Sequence, residues 1–99
     1  MPSKQMRPIH PGEILREEFL VPLEMSAHAL SQALRVPAPR INEIVREKRG
    51  ITPDTALRLA RYFGSTAEFW MNLQRSYDLR KASAELGEVI NREVQPRAA

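Results

Sequence analysis

Cysteine is absent from this sequence of 99 residues, and glycine is scarce at four residues. Without cysteine the chain can form neither a disulfide framework nor a thiolate metal site. Aromatic residues make up only 6 % of the sequence, and no apolar run approaches the roughly 20 residues of a membrane-spanning helix. These absences argue against a disulfide-stapled scaffold and a membrane protein. We expect a cytoplasmic protein with no cofactor, no small-molecule ligand and no membrane partner.

The hydrophobic content and the length of the chain are typical of one globular domain. Hydrophobic residues make up 42 % of the chain, and its 99 residues are enough for one modest core but not for two. The formal net charge of +3 is compatible with a polyanionic partner, although a charge of this size is weak evidence alone. We expect a loose N-terminal arm at residues 1–7, a folded domain at 8–80, and a helical extension with a frayed tail at 81–99.

Two short helices joined by a tight turn are predicted between Ser26 and Arg49. In the first helix Leu30, Ala33 and Leu34 recur at helical spacing, and Ser26 is a favoured N-cap residue. Two prolines that follow set the start of the second helix at about residue 38, because proline is tolerated only in the first turn of a helix. The three residues before that start form the turn.

The second helix has two chemically different faces. Ile41, Ile44 and Val45 form an apolar stripe. Small, amide and charged side chains occupy the opposite face and its flanks: Pro39, Arg40, Asn42, Glu43, Arg46 and Glu47. A short helix that is anchored by aliphatic side chains and presents such groups outward can enter the major groove of DNA. The pattern predicts a helix-turn-helix, with a helical hairpin of an ordinary bundle as the alternative.

Three further helices complete an all-α prediction of five helices and no strand. One begins at Pro11 and stops at Pro22, and another runs from Pro53 to Gly64. The last continues from about Ser65 through a charged segment with an intermittent apolar stripe. The residues expected to be buried on these helices are Ile14, Leu15, Phe19, Ala56, Leu57, Leu59, Ala60, Phe63, Phe69, Trp70, Leu73 and Tyr77.

Polar residues beside the helix starts are interpreted as caps. His10 precedes a proline at the start of the first helix, where a capping role is favoured over that of a metal ligand or a base. Thr52 is expected to cap the fourth helix. The fifth is capped either by Ser65, in a capping box with Glu68, or by Thr66.

Five motifs spread over residues 8–79 resemble those of the HigA antitoxins, a branch of the XRE class of lambda-repressor-like regulators. They are PIHPGEIL (8–15), RINEIVR (40–46), KRGIT (48–52), TALRL (55–59) and FWMNLQ (69–74). The resemblance implies a five-helix lambda-repressor-like DNA-binding domain of XRE type that forms a homodimer. It also implies neutralisation of a HigB-type ribonuclease toxin and repression of the shared operon through double-stranded operator DNA.

The resemblance also assigns DNA-binding roles residue by residue. Ser26 matches the position where the first motif helix meets a phosphate. Positions that face base edges are matched by Ala38, Pro39, Asn42 and Glu43. Arg40 and Arg46 match flanking positions that reach bases or phosphates, and Lys48 and Arg49 match a loop that contacts the DNA backbone.

Two positions depart from the family pattern. Ala27 stands where many relatives in the wider XRE class carry a glutamine, so the contact made by that glutamine is absent here. Arg35 stands where the turn usually has glycine. Because a positive φ is strained for arginine, the resemblance leaves the geometry of the turn open.

The residues give no support for an enzyme. A catalytic site needs a base, a nucleophile or metal ligands in one cleft, whereas His10 and His28 are predicted on separate helices. We therefore expect no catalytic residue and no metal site. Three functions stay open: an antitoxin that represses its own operon, a solitary XRE repressor without a toxin, and an interaction domain that has lost DNA binding. The cations around the second motif helix argue against the last.

A toxin is expected to bind a surface distinct from the groove-facing helix. Segments 1–18 and 74–92 carry alternating charged and apolar groups, and they include acidic residues that would complement a basic toxin: Glu13, Glu17, Glu18, Glu85 and Glu88. For any single one of these carboxylates a solvated helix face is the simpler interpretation. Arg58 and Arg61 are likewise interpreted as solvated surface charge.

Overall fold

The structure, a computed structural model, describes residues 7–98, and all regular structure in that range is helical. Helix α1 consists of an α-helical turn Pro11–Ile14, a π-helical segment Leu15–Leu20 and a last turn Val21–Leu23. The other helices are α2 (Ala27–Leu34), α3 (Ala38–Val45), α4 (Pro53–Phe63) and α5 (Ala67–Glu93). The prediction of five helices and no strand is confirmed for this range. Of the arm predicted at residues 1–7, all but Arg7 lies outside the described residues.

The start of α1 is capped as the sequence predicts. His10 Nδ1 accepts a hydrogen bond of 2.8 Å from the backbone N–H of Gly12, and Pro11 occupies the first turn. The imidazole is buried and meets the ring of Tyr77 edge-on, with 4.8 Å between the ring centroids. His10 is therefore a structural cap that also packs against α5.

The end of α1 differs from the prediction. Pro22 does not stop the helix, which continues to Leu23 and ends at Glu24, where φ is +52°. The geometry changes from π-helical to α-helical at Val21. Pro22 thus follows the change of geometry directly, at a position where the regular hydrogen-bond ladder of the helix is already interrupted.

The π-helical segment brings Leu20 into the core, although the sequence pattern did not predict that this residue is buried. Leu15 and Leu20 are both buried, although residues five apart in an α-helix point about 140° away from each other. Hydrogen bonds between residues five apart turn them toward the same side of the helix. Ile14, which was expected in the core, is only half-buried.

All five helices contribute to one hydrophobic core. Its fully buried large side chains are Leu15, Leu30, Ile41, Ile44, Leu59 and Trp70. The prediction that Leu57 is buried is wrong, since 63 % of that residue is exposed. Helix α4 turns Thr55 and Leu59 inward, and Leu57, two residues from each, lies on the other side. Phe69 is also more exposed than expected, at 39 %.

Side-chain caps at the later helices follow the sequence only in part. Thr66 caps α5, because its hydroxyl accepts a 3.0 Å hydrogen bond from the N–H of Phe69. The hydroxyl of Ser65 instead accepts a 3.0 Å bond from the indole N–H of Trp70. Thr52 occupies the N-cap position of α4, but its side chain accepts no capping bond, so that part of the prediction is wrong.

Helix α5 is much longer than the others and leaves the core half-way along. Residues 78–93 are exposed apart from the half-buried Gly87, and residues 94–98 have no regular structure. The helix passes without a break through the boundary suggested between residues 80 and 81, so that domain division stays a prediction. No helix in the described part of the chain is long and apolar enough to cross a lipid bilayer.

Candidate nucleic-acid interface

Helix α2 begins and ends with well-defined caps. The hydroxyl of Ser26 accepts a 3.0 Å hydrogen bond from the N–H of Ala29, and the other N–H groups of this first turn are the kind of donors that bind phosphate. The helix ends at Arg35, with φ at +62°. The turn therefore keeps the left-handed residue that glycine usually supplies, at a cost of about 1–3 kcal/mol for arginine.

Helix α3 is anchored on one side and free on the other. Ile41 and Ile44 are fully buried, and Val45 packs against the core as a half-buried residue. Pro39 is exposed, and the other predicted groove-facing residues are half-buried: Ala38, Asn42 and Glu43. The two-faced helix predicted from the sequence is therefore present. Ser26 lines one cleft together with Val45, so the start of α2 lies beside the end of α3.

The four cations assigned to this surface differ in their partners. Arg40 lies 3.5 Å from a carboxylate oxygen of Asp54, and Arg49 forms an ion pair of 2.8 Å with Glu43. Within residues 7–98, Arg46 and Lys48 form no ion pair, and both are exposed. Two cations are thus free to meet a phosphate, while the other two must first leave a carboxylate.

The loop after α3 is held by a residue to which the sequence assigned no role. Gln74 of α5 accepts a 2.6 Å hydrogen bond from the N–H of Ile51, and its amide nitrogen donates to Asp78 at 3.0 Å. A Cβ at Gly50 would lie 2.9 Å from the same amide group. Glycine therefore lets the loop approach Gln74 closely, and the loop is fixed to α5 next to Lys48 and Arg49.

Arg58 is exposed, as the sequence suggested, but it is not a free charge. Its Nη1 donates a 2.8 Å hydrogen bond to the carbonyl of Leu34, the last residue of α2. Its Nε donates to Asp54 at 2.5 Å, and this bond lowers the pKa of the Asp54 carboxyl from its ordinary value. Because Asp54 also meets Arg40, these contacts join α4 to both helices of the motif. The spacing of Asp54 and Arg58 by four residues was the available signal.

Comparison with known proteins identifies the family. A helix-turn-helix family model matches residues 15–70. Antitoxin HigA-1 of Vibrio cholerae is 34 % identical over 79 residues, which cover 80 % of this chain and 74 % of that protein. The chain belongs to the HigA family. The family recognised in the sequence is thereby confirmed.

Other relatives are more similar still. Virulence-associated protein I of Dichelobacter nodosus is 63 % identical over 83 residues, which cover 84 % of this chain and 77 % of that protein. The solved structure of the Pseudomonas aeruginosa antitoxin HigA with the higBA promoter is 55 % identical and superposes with a TM-score of 0.91. It covers 93 % of this chain and 100 % of the other. The similarity therefore extends over nearly the whole HigA-type chain.

The two histidines of this HigA-type chain have different surroundings. Burial lowers the pKa of His10 from its ordinary value of 6.5, which favours the neutral imidazole that accepts from Gly12. His28 is exposed on α2. In the part of the chain that the structure describes, no three His, Cys, Asp or Glu side chains are grouped to hold a metal ion.

Proposed function

We propose that this HigA-type protein is an antitoxin that represses its own operon. In this proposal a homodimer binds double-stranded operator DNA, and the same protein neutralises a HigB-type ribonuclease toxin by direct contact. The observation that carries the DNA-binding part is the outward face of α3, with the free cations Arg46 and Lys48 beside it. The relative solved with the higBA promoter, 55 % identical over nearly the whole chain, supports the same conclusion.

Each candidate residue has a role that follows from its position. Asn42 and Glu43 read base edges from the middle of α3, with an amide pairing to adenine and a carboxylate accepting from cytosine. Ala38 and Pro39 are small enough to let the start of α3 approach the bases closely. Ser26 meets a phosphate at the start of α2. Cations around α3 hold further phosphates: Arg40, Arg46, Lys48 and Arg49.

Base reading can be tested separately from phosphate binding. The test substitutes alanine for Asn42 and for Glu43 and measures binding to a panel of single-base variants of the promoter upstream of the chain's own gene. We expect each change to flatten the preference at particular positions of the panel, by about 1–3 kcal/mol. A uniform loss across the panel would instead assign both residues to phosphate contacts or to ion pairing alone.

The homodimer is supported by exposed aliphatic side chains on the free half of α5. Leu79, Leu86, Val89 and Ile90, here called the α5 stripe, are all exposed and share one side of the helix. No other segment within residues 7–98 covers them. Small residues beside the stripe, Ala82, Ser83 and Gly87, permit a second helix to approach closely. A second copy of this chain presents the same stripe, which is what a two-fold interface requires.

The toxin is expected to bind acidic residues of α1 and of the free half of α5. On α1 Glu13 pairs with Arg7 and Glu17 pairs with Arg16, so Glu18 is the carboxylate of this helix without an ion pair among the described residues. Glu85 and Glu88 are exposed on α5. These carboxylates attract a basic toxin and speed its encounter more than they set its affinity.

The antitoxin role is tested by expressing the reading frame adjacent to the chain's own gene, alone and together with this protein. We expect the neighbour alone to arrest growth, and co-expression to restore growth and yield a complex that co-purifies. Repression is measured in parallel with a reporter under the chain's own promoter. A harmless neighbour that does not co-purify, together with intact repression, would establish a solitary XRE repressor instead.

A further inference from the structure

The end of the recognition helix α3 leaves one backbone carbonyl without a helical partner. Past Val45 the chain turns through Glu47, which has φ at +63°. The N–H groups of Glu47 and Lys48 bond to the carbonyls of Ile44, at 2.9 Å, and Glu43, at 2.8 Å. This is the paired closure of a Schellman motif. Neither of these N–H groups bonds to the carbonyl of Val45. This carbonyl lies at the C-terminal end of the helix, which carries partial negative charge.

Helix α1 supplies the missing donor. Arg16 Nη1 donates to the carbonyl of Val45, and its Nη2 lies 3.5 Å from a carboxylate oxygen of Glu47. Its Nε donates to Glu17 at 2.9 Å. One guanidinium therefore meets both the last carbonyl of α3 and the left-handed residue that follows it. A cation is the favoured partner at this end of a helix.

A backbone contact beside Arg16 holds the same turn. A Cβ at position 12 would lie 1.7 Å from the carbonyl oxygen of Ile44. Gly12 therefore allows the first turn of α1 to touch the last turn of α3 directly. The two contacts, from Gly12 and from Arg16, come from successive turns of one helix and limit both the approach and the tilt of the end of α3.

We propose that Arg16 is a positioning residue for DNA recognition. Its guanidinium fixes the last turn of α3 and the start of the following loop at Glu47, and thereby sets the tilt at which the middle of α3 meets the bases. Arg16 acts through α3 and does not touch DNA, because its donors are already directed to Val45, Glu47 and Glu17. The inference rests on the proposed function, since it assigns Arg16 a role in binding the operator.

The test compares Arg16→Met with the unaltered chain on two duplexes of equal length, the promoter upstream of the chain's own gene and an unrelated sequence. We expect promoter affinity to fall about tenfold, the factor that matches the loss of one charge-assisted hydrogen bond. Affinity for the unrelated duplex should fall by no more than it does in Arg61→Met. Arg61→Met is the control because it also removes one positive charge, and the side chain of Arg61 forms no ion pair among the described residues. The salt dependence should keep its slope.

Several results would overturn the inference. Promoter binding by Arg16→Met equal to that of the unaltered chain would remove the positioning role. A salt slope reduced by about one ion would show a direct phosphate contact instead. An equal fractional loss on both duplexes would indicate a general loss of folded protein, which a thermal melt would reveal. Failure of the unaltered chain to bind its promoter would overturn the proposed function, and the inference with it.

Arg16→Lys keeps the test decisive if Arg16→Met does not fold. Lysine retains the charge but reaches only one of the two groups at a time, the carbonyl of Val45 or the carboxylate of Glu47, because its ammonium lacks the planar fork of arginine. We expect a promoter affinity between those of the unaltered chain and Arg16→Met, with an unchanged salt slope. A further variant, Glu47→Gln, removes the charge that faces Arg16. If Arg16→Lys keeps full promoter affinity, and a folded Glu47→Gln loses its preference for the promoter over the unrelated duplex, charge alone matters. That result would overturn the fork geometry as the cause.

Discussion

At the scale of single residues, the surface around α3 combines free and engaged cations. Arg40 and Arg49 each meet a carboxylate in the free protein, whereas Arg46 and Lys48 have no such partner within residues 7–98. DNA must displace a carboxylate before it gains a contact from Arg40 or Arg49, and an exposed ion pair of this kind is worth about 0–1 kcal/mol. The free cations should therefore contribute more to affinity than the engaged ones.

Arg46→Ala tests this ranking. We expect affinity for operator and unrelated DNA alike to fall by about 1–2 kcal/mol, and the salt slope to fall by about one ion, because a phosphate contact carries no sequence information. Arg49→Ala is the matched control, and its loss should be smaller because Glu43 already engages that guanidinium. A gel-shift titration measures both variants. Equal affinity of Arg46→Ala and the unaltered chain would remove Arg46 from the contact set.

His10 makes stability depend on pH. Burial lowers the pKa of His10 below its ordinary value of 6.5, so the unfolded chain binds a proton that the folded chain rejects. Stability from the neutral imidazole is therefore present above pH 6.5 and is lost as the pH falls through the lower pKa of the folded state. Protonation of Nδ1 would also break the bond from Gly12.

Thermal melts between about pH 5.5 and 7.5 measure this dependence, since histidine is the side chain that ordinarily titrates there. We expect the melting temperature to drop toward the acid end of this range, and the drop to shrink in His10→Gln. His28→Gln, which changes an exposed histidine, should keep the full dependence. An unaltered pH profile in His10→Gln would assign the effect to other groups.

At the scale of elements, α5 has two halves with different surroundings. Its first half carries Trp70, which is fully buried, and Gln74, which fixes the loop after α3. Its second half carries the α5 stripe, with 49 % of Leu86 and 49 % of Ile90 exposed. Burial of such side chains contributes about 25 cal/mol for each Å² of apolar surface removed from water. The second half therefore gains most from contact with a second copy.

Leu86→Lys should separate the proposed homodimer into monomers. A charge at the centre of the α5 stripe would be buried without a partner, which is costly. Sedimentation at several concentrations measures the change, and operator affinity should fall with it because two half-sites are no longer bound together. Leu57→Lys is the control, since Leu57 is exposed at 63 % on α4. Dissociation by Leu57→Lys but not by Leu86→Lys would place the dimer contact on the exposed side of α4.

At the scale of the whole molecule, the surfaces proposed for DNA and for toxin belong to different elements. The DNA surface comprises the start of α2, α3 and the loop that follows, whereas the acidic residues proposed for the toxin lie on α1 and on the free half of α5. Arg16 is the exception, because it stands on α1 and contacts α3. The proposal therefore lets toxin and operator be bound at the same time, provided that α1 stays packed against α3.

Glu18→Lys should separate the two activities. We expect a slower association with the toxin, because charge complementarity acts chiefly on the rate of encounter, and unchanged binding to the operator. Surface plasmon resonance measures both, and Glu68→Lys, another exposed carboxylate outside the proposed surface, is the matched control. Loss of operator binding in Glu18→Lys, but not in Glu68→Lys, would show that the surfaces proposed for toxin and for DNA overlap.

The sequence by itself determined the helices and the family. Helical spacing gave the buried face of α3 and, apart from Ala33, which is exposed, that of α2. The prolines gave the starts of α1, α3 and α4, and Gly64 gave the end of α4. These signals are local, since a cap, a turn residue or a stripe of period 3.6 involves residues a few positions apart. The two faces of α3, and with them the candidate DNA surface, follow from the same local pattern.

Only the tertiary structure decided which side chains hold these helices together. Arg16 reaches Val45 across 29 positions of sequence, Arg58 reaches Leu34 across 24, and Gln74 reaches Ile51 across 23. It also decided that Leu20 is buried and Leu57 exposed, since the first depends on a π-helical segment and the second on which side of α4 meets the core. Such contacts depend on how helices are placed relative to one another, which the periodicity of a single helix does not encode.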